Sequence, residues 1–146
     1  MKKKILVPAI AALMVMSLSF AVSAEVLEGP EFVGELEEEL EREMGVMELQ
    51  MDLDMGEEYI ILDVRSGAER EEGYIPDSQY VNFGQLFFRI GDIVEDPDEE
   101  FIVACQSGAR SVIAAVLLQD MGYKPINLEG GFMAWDEAGY EVEQPD

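Results

Sequence analysis

The chain holds one cysteine and no histidine. Cys105 stands in FIVACQSGARSVIAAVLLQDMG, residues 101–122, where a strand-like run ends, a short polar loop follows and an apolar run begins. Gly108 permits a tight curl of the loop Gln106, Ser107, Gly108, Ala109. In such a curl successive N–H groups point inward as an anion cradle, to which the next helix adds its positive amino end. Arg110 and Ser111 complete the stretch, Arg110 as a cation five residues after Cys105. A thiol held this way is expected to react as a thiolate without histidine. The alternative is a buried strand-end cysteine acting as a small hydrophobe, against which the polar, tight loop weighs. The absence of histidine excludes a Cys–His hydrolase, and a single cysteine excludes a dithiol redox pair. A tetrahedral oxyanion also suits the cradle. However, four residues separate Cys105 from Arg110, one fewer than in protein tyrosine phosphatases, which counts against phosphate.

The elements that position this loop begin at Tyr59. YIILDV and FIVA are near-continuous apolar runs, as expected of strands buried on both sides. YVNF and PINL read as two further strands. The polar stretch to Glu72, GQLFFRIGDIV, Arg110–Met121 and GGFMAWDEAG read as helices. Alternating strands and helices predict an α/β fold with a central parallel sheet and helices on both faces. Ligands of such a sheet bind beyond the carboxyl ends of its strands, where Cys105 falls. Asp63 and Arg65, at the end of YIILDV, are expected to form a structural ion pair or hydrogen-bond network. Gly130 and Gly131 are expected to permit a turn, and Trp135 to pack the last helix.

At 146 residues and 49% hydrophobic content the chain is long enough for one globular domain. The first 24 residues are read apart from it as a secretory signal. Lys2, Lys3 and Lys4 precede an apolar Ile5–Val22, and Val22-Ser23-Ala24 offers a small-residue cleavage site. Retention of this leader as a membrane anchor is the other reading. With cleavage the protein is periplasmic or secreted. The formal net charge is −23, and loss of three lysines leaves six basic against 32 acidic residues, or −26. Such a surface repels nucleic acid and anionic membranes, so neither is an expected partner after signal cleavage. A leftover thiol in an oxidising compartment calls for pairing with another molecule, burial or reactivity.

Residues 25–58 hold fourteen acids and one base, Arg42. Val33, Leu36, Leu40 and Met44 recur at helical spacing, with Gly45 as a stop. In MELQMDLDMGEE, Met47, Leu49, Met51, Leu53 and Met55 alternate as in a half-buried strand, while composition and Gly56 suit a short helix. The methionines invite a soft-metal reading. No His or Cys lies nearby to complete a site, and packing into the core is expected instead.

CQSGARS followed by an apolar helix, MGY, NLEGG and AW resembles the active-site half of a rhodanese-like domain. Upstream, ILDVR, Glu69 and GYIPDSQYVNF are similar to that family's strand, helix and Gly-His-Ile-Pro-Gly-Ala signature. The likeness runs from about Val46 to Tyr140. It implies a rhodanese-like fold over residues 46–146, Met47–Met55 as its first helix, and residues 25–45 as an added acidic helical segment. Tyr74 stands where the family has histidine and Asp77 where it has glycine, both in a structural turn. The implied activity is sulfur transfer: Cys105 is catalytic, carrying a persulfide taken from thiosulfate, polysulfide or another persulfide. Gln106, Ser107, Gly108, Ala109, Arg110 and Ser111 cradle the anion, and no metal or cofactor is called for. The partners are a small sulfur donor and a thiol, cyanide or sulfur-accepting protein. Neutral Gln106 and Ser107 stand where thiosulfate-preferring members often carry basic residues, which disfavours free thiosulfate. The competing readings are a sulfur-carrier or binding module without turnover, and an oxyanion enzyme such as a phosphatase or arsenate reductase.

Overall fold

The structure is a computed structural model and describes residues 29–145. The leader expected over residues 1–24 lies outside the described residues. In chain order the elements are α1 (Gly29–Glu37), β1 (Glu43–Met44), α2 (Val46–Asp54), β2 (Ile61–Asp63), α3 (Gly67–Glu71) and β3 (Gln79–Tyr80). There follow α4 (Phe83–Ile93), β4 (Glu100–Ala104), α5 (Ala109–Asp120), β5 (Lys124–Leu128) and α6 (Gly131–Glu137). The strands form one sheet in the order β1-β5-β4-β2-β3, and every neighbouring pair is parallel.

β4 explains why its sequence is apolar without interruption. Side chains alternate across a strand. Phe101, Val103 and Cys105 therefore face Leu86 and Ile90 of α4 with Ala114 and Leu118 of α5. Ile102 and Ala104 face Leu49 of α2 with Phe132 and Trp135 of α6. Full burial of an apolar side chain of this size is worth about 1.5–3 kcal/mol. The strand that delivers Cys105 is thus anchored on both faces.

The chain moves from β2 outward to β3, then returns to β4 and continues to β5 on the other side. The loop after β4 therefore lies where the strand order reverses, the place at which open parallel sheets bind ligands.

Three expectations are corrected. The helical spacing from Val33 to Met44 does not hold: α1 ends at Glu37, and Met44 enters the core as β1, paired with Leu128. Burying Met44 while satisfying the edge of β5 outweighs continuing a helix rich in glutamate. The sheet thus begins inside the stretch 25–45 expected to be an added helical segment. Met47, Met51 and Met55 do not fill the core, because Met47 and Met51 lie on the outward face of α2 and Met55 at its C-cap, with exposures of 67%, 56% and 71%. Leu49, fully buried, and half-buried Leu53 supply the packing instead. Of YVNF only Tyr80 lies within a strand, and the Val81 N–H continues the pairing by donating to the Asp63 carbonyl at 3.1 Å. Asn82 instead caps α4, its side-chain oxygen accepting the Gly84 N–H at 3.0 Å.

Candidate active site

β4 ends at Ala104, and the next residue, Cys105, is fully buried. Gly108 adopts φ of 100°, a left-handed conformation that closes the loop back on the thiol. Its N–H donates to Cys105 Sγ at 3.1 Å. Ser111, in the first turn of α5, places its hydroxyl 3.5 Å from Sγ and 2.8 Å from the Gly108 carbonyl oxygen. A hydroxyl has one proton to donate, so the shorter bond takes it and rotation offers it to the sulfur.

α6 holds the other side of the loop. The Phe132 N–H donates to the Cys105 carbonyl at 2.8 Å, and the Met133 N–H donates to the Gln106 carbonyl at 2.9 Å. Peptide groups are planar and trans. With those two carbonyls turned toward α6, the N–H groups of Gln106 and Ser107 point away from it. Gly131 makes this approach possible, since a Cβ there would lie 2.4 Å from the Cys105 carbonyl oxygen.

Arg65 is the second organiser. Its guanidinium is buried and pairs with Asp63 at 2.8 Å. It also donates to the backbone carbonyls of Glu69 at 3.1 Å and Gly73 at 2.6 Å. A further bond at 3.1 Å reaches the Gln106 side-chain oxygen, and the Phe132 ring lies 4.1 Å beneath the guanidinium. One side chain thereby joins β2, α3, the cysteine loop and α6. Arg70 adds to it, bonding Asp63 at 2.9 Å, Ser78 and the face of Tyr74 at 3.8 Å. Asp77, where the resembled family has glycine, takes a positive φ of 60°, a conformation aspartate tolerates better than most residues.

The loop residues thus divide. Gly108 and Ser111 address the sulfur, whereas Gln106 is engaged by Arg65 and Ser107 and Ala109 are exposed. Arg110 does not stand free: its two terminal nitrogens grip Glu69 at 2.9 and 2.5 Å. Glu69 also accepts the Ser66 N–H at 2.8 Å and hydroxyl at 2.7 Å. The Arg110 guanidinium, with the two Ser66 bonds, holds the Glu69 carboxyl down to about 2, and Glu69 raises Arg110 in return. Reading residue types alone missed this ion pair. Its near half is legible as the capping box Ser66-Gly67-Ala68-Glu69, but the partner lies 41 residues away.

Comparison with known proteins agrees with the architecture. The family model of the rhodanese-like domain matches residues 46–138. YtwF of Bacillus subtilis (strain 168) is 35% identical over 95 residues, spanning 65% of this chain and 90% of its own. A sulfurtransferase of Allochromatium vinosum is 34% identical over 91 residues, spanning 62% and 83%. The crystal structure of a rhodanese-like domain protein from Staphylococcus aureus aligns with a TM-score of 0.64 at 26% identity, covering 72% of this chain and 99% of that one. By sheet order, family match and sulfurtransferase relatives together, the chain belongs to the rhodanese-like domain family, and its general role is in sulfur transfer.

Proposed function

We propose that the protein is an exported single-domain sulfurtransferase that moves sulfane sulfur from thiosulfate, polysulfide or a persulfide to a thiol or cyanide through a persulfide on Cys105. The observation that carries this reading is the Gly108 N–H aimed at Cys105 Sγ from 3.1 Å, at the carboxyl end of a strand buried on both faces. The Cys105 thiolate attacks the outer sulfur of the donor. A new S–S bond forms, the donor's own S–S bond breaks, and sulfite, a polysulfide shortened by one sulfur or a thiolate leaves with the electron pair. The acceptor then attacks the outer sulfur, and the electron pair of the second broken bond returns to Cys105. Both steps are nucleophilic attacks at sulfur, the first by the Cys105 thiolate and the second by a thiolate or cyanide, and neither needs a separate base. The Gly108 N–H, the N–H groups of Gln106 and Ser107 and the Ser111 hydroxyl stabilise the anionic sulfur, while Arg65 and Asp63 fix the loop that presents them. Export is supported by the Lys2–Lys4, Ile5–Val22 and Val22-Ser23-Ala24 pattern.

The test is steady-state production of thiocyanate from cyanide with each donor, for the wild type and Cys105→Ser. Many turnovers per protein, abolished by the substitution, are expected. Turnover that survives Cys105→Ser overturns the reading. The full burial of Cys105 favours one second reading, a carrier that shelters its persulfide until a partner protein collects it. A carrier loads one sulfur per chain and shows no multiple turnover with cyanide. Hydrolysis of an aryl phosphate in place of sulfur transfer identifies an oxyanion enzyme.

A further inference from the structure

We infer that Glu69, acting through Arg110, selects the charge of the donor, so that the site takes an alkyl persulfide in preference to dianionic thiosulfate. This rests on the sulfur-transfer reading above and narrows its donor. Five charged side chains are joined by ion pairs around the cysteine loop, Arg65, Arg70 and Arg110 against Asp63 and Glu69. Three positive charges against two negative ones leave a single positive charge, which one thiolate on Cys105 balances. Thiosulfate brings two further negative charges to that balanced site, whereas a persulfide brings one as its anion and none in the protonated form that reacts.

Of the three arginines Arg110 has the most exposed side chain, at 39% against 17% for Arg70 and 1% for Arg65. It is therefore the cation an entering anion meets. Glu69 occupies both of its terminal nitrogens and is itself fixed by two bonds from Ser66. The other loop side chains, Gln106, Ser107 and Ala109, are neutral, and the chain's net charge of −23 adds a field of the same sign. The buried Sγ also admits a slender terminal sulfur more readily than a bulky group.

The transfer balances without an oxidant or reductant. The Cys105 thiolate bonds to the terminal sulfur of R–S–SH, the R–S to S bond breaks, and R–S⁻ leaves with the electron pair. The proton stays on the transferred sulfur of Cys105–S–SH. Glu69 touches neither donor nor sulfur, so it is a positioning residue.

The experiment compares kcat/KM for thiosulfate and for 2-hydroxyethyl persulfide, with cyanide as acceptor, in the wild type, Glu69→Gln and Glu69→Asp. Glutamine keeps an oxygen for the Ser66 bonds but frees the charge of Arg110. The thiosulfate-to-persulfide ratio is expected to rise about tenfold in Glu69→Gln, the order of effect of one partly exposed charge a few ångströms away. That rise shrinks at high salt. Glu69→Asp keeps the charge and is expected to leave the ratio within about twofold of wild type by the same reasoning. If both donors lose activity together in Glu69→Gln and the ratio stays put, Glu69 only holds the loop and the inference is wrong. If the wild type takes sulfur from neither donor, the sulfur-transfer reading fails and this inference fails with it.

Discussion

Replacing Gly131 by alanine puts a methyl group where α6 meets the backbone of the cysteine loop. Gly131 has φ of 59°, and its added Cβ would lie 2.4 Å from the Cys105 carbonyl oxygen and 3.0 Å from the carbonyl carbons of Cys105 and Gln106. All three are backbone atoms, so no side chain can rotate away. A left-handed conformation costs an L-residue about 1–2 kcal/mol. Relieving the overlap separates α6 from the loop and strains the Phe132 and Met133 N–H bonds to the Cys105 and Gln106 carbonyls, each worth about 1 kcal/mol net. Together these give about 3–4 kcal/mol, a large share of the 5–15 kcal/mol typical of a domain. Gly139→Ala is the control, because Gly139 also has a positive φ, 76°, but nothing lies within 4 Å of its added Cβ. It should cost only the conformational part, about 1–2 kcal/mol. Thermal unfolding of both variants, at about 4 °C per kcal/mol, should lower Tm by about 12–16 °C for Gly131→Ala and by about 4–8 °C for Gly139→Ala. Gly131→Ala should also lose sulfur transfer because the loop carbonyls move. Equal Tm losses in the two variants, or full activity in Gly131→Ala, would refute the claim that α6 clamps the loop.

Arg65→Met strips a buried Asp63 of one partner, leaves the Gly73 carbonyl and the Gln106 side-chain oxygen without their donor, and leaves the Glu69 carbonyl with only the Glu72 N–H at 3.3 Å. Breaking a buried pair from one side costs about 3–5 kcal/mol, and a loss under about 1 kcal/mol by urea unfolding would contradict the network's role. Glu69 gives a pH signature. Its carboxyl is held by Arg110 at about 2, below its ordinary value of 4.5, so its stabilisation is complete above that ordinary value and disappears as pH falls through about 2. The Tm difference between wild type and Glu69→Gln should therefore be flat above pH 5 and narrow steadily below it, and a pH-independent difference would count against the ion pair. Ser111→Ala removes a hydroxyl 3.5 Å from Sγ and should slow sulfur transfer roughly fivefold, the worth of about 1 kcal/mol, with the fold retained by circular dichroism. An unchanged rate would remove Ser111 from the cradle.

What the amino-acid sequence revealed follows the range of the forces involved. β4 and α5 were legible because burial on both faces leaves an unbroken apolar run, and a glycine-containing polar loop between them places Cys105 at the strand end. α2 was ambiguous because Met47, Leu49, Met51, Leu53 and Met55 satisfy a period of two as well as a helix. Only the docking of Leu49 onto the sheet decides it. The outward methionines contradicted the core-filling reading because nothing local tells an apolar residue which face it will occupy. The grip of Glu69 on Arg110 and the reach of Arg65 to Gln106 each cross 41 residues. Neither leaves a spacing pattern, so both become visible only when α3 and the cysteine loop are brought together by the sheet.

The central claim is that Cys105 itself carries the sulfur, and the mass of its peptide after exposure to a sulfane donor tests this most directly. The peptide containing Cys105 is expected to gain one sulfur atom. Cyanide should reverse that gain with one thiocyanate released per chain, and Cys105→Ser should show no gain. A Cys105 peptide that gains no sulfur from thiosulfate, polysulfide or an alkyl persulfide would contradict it.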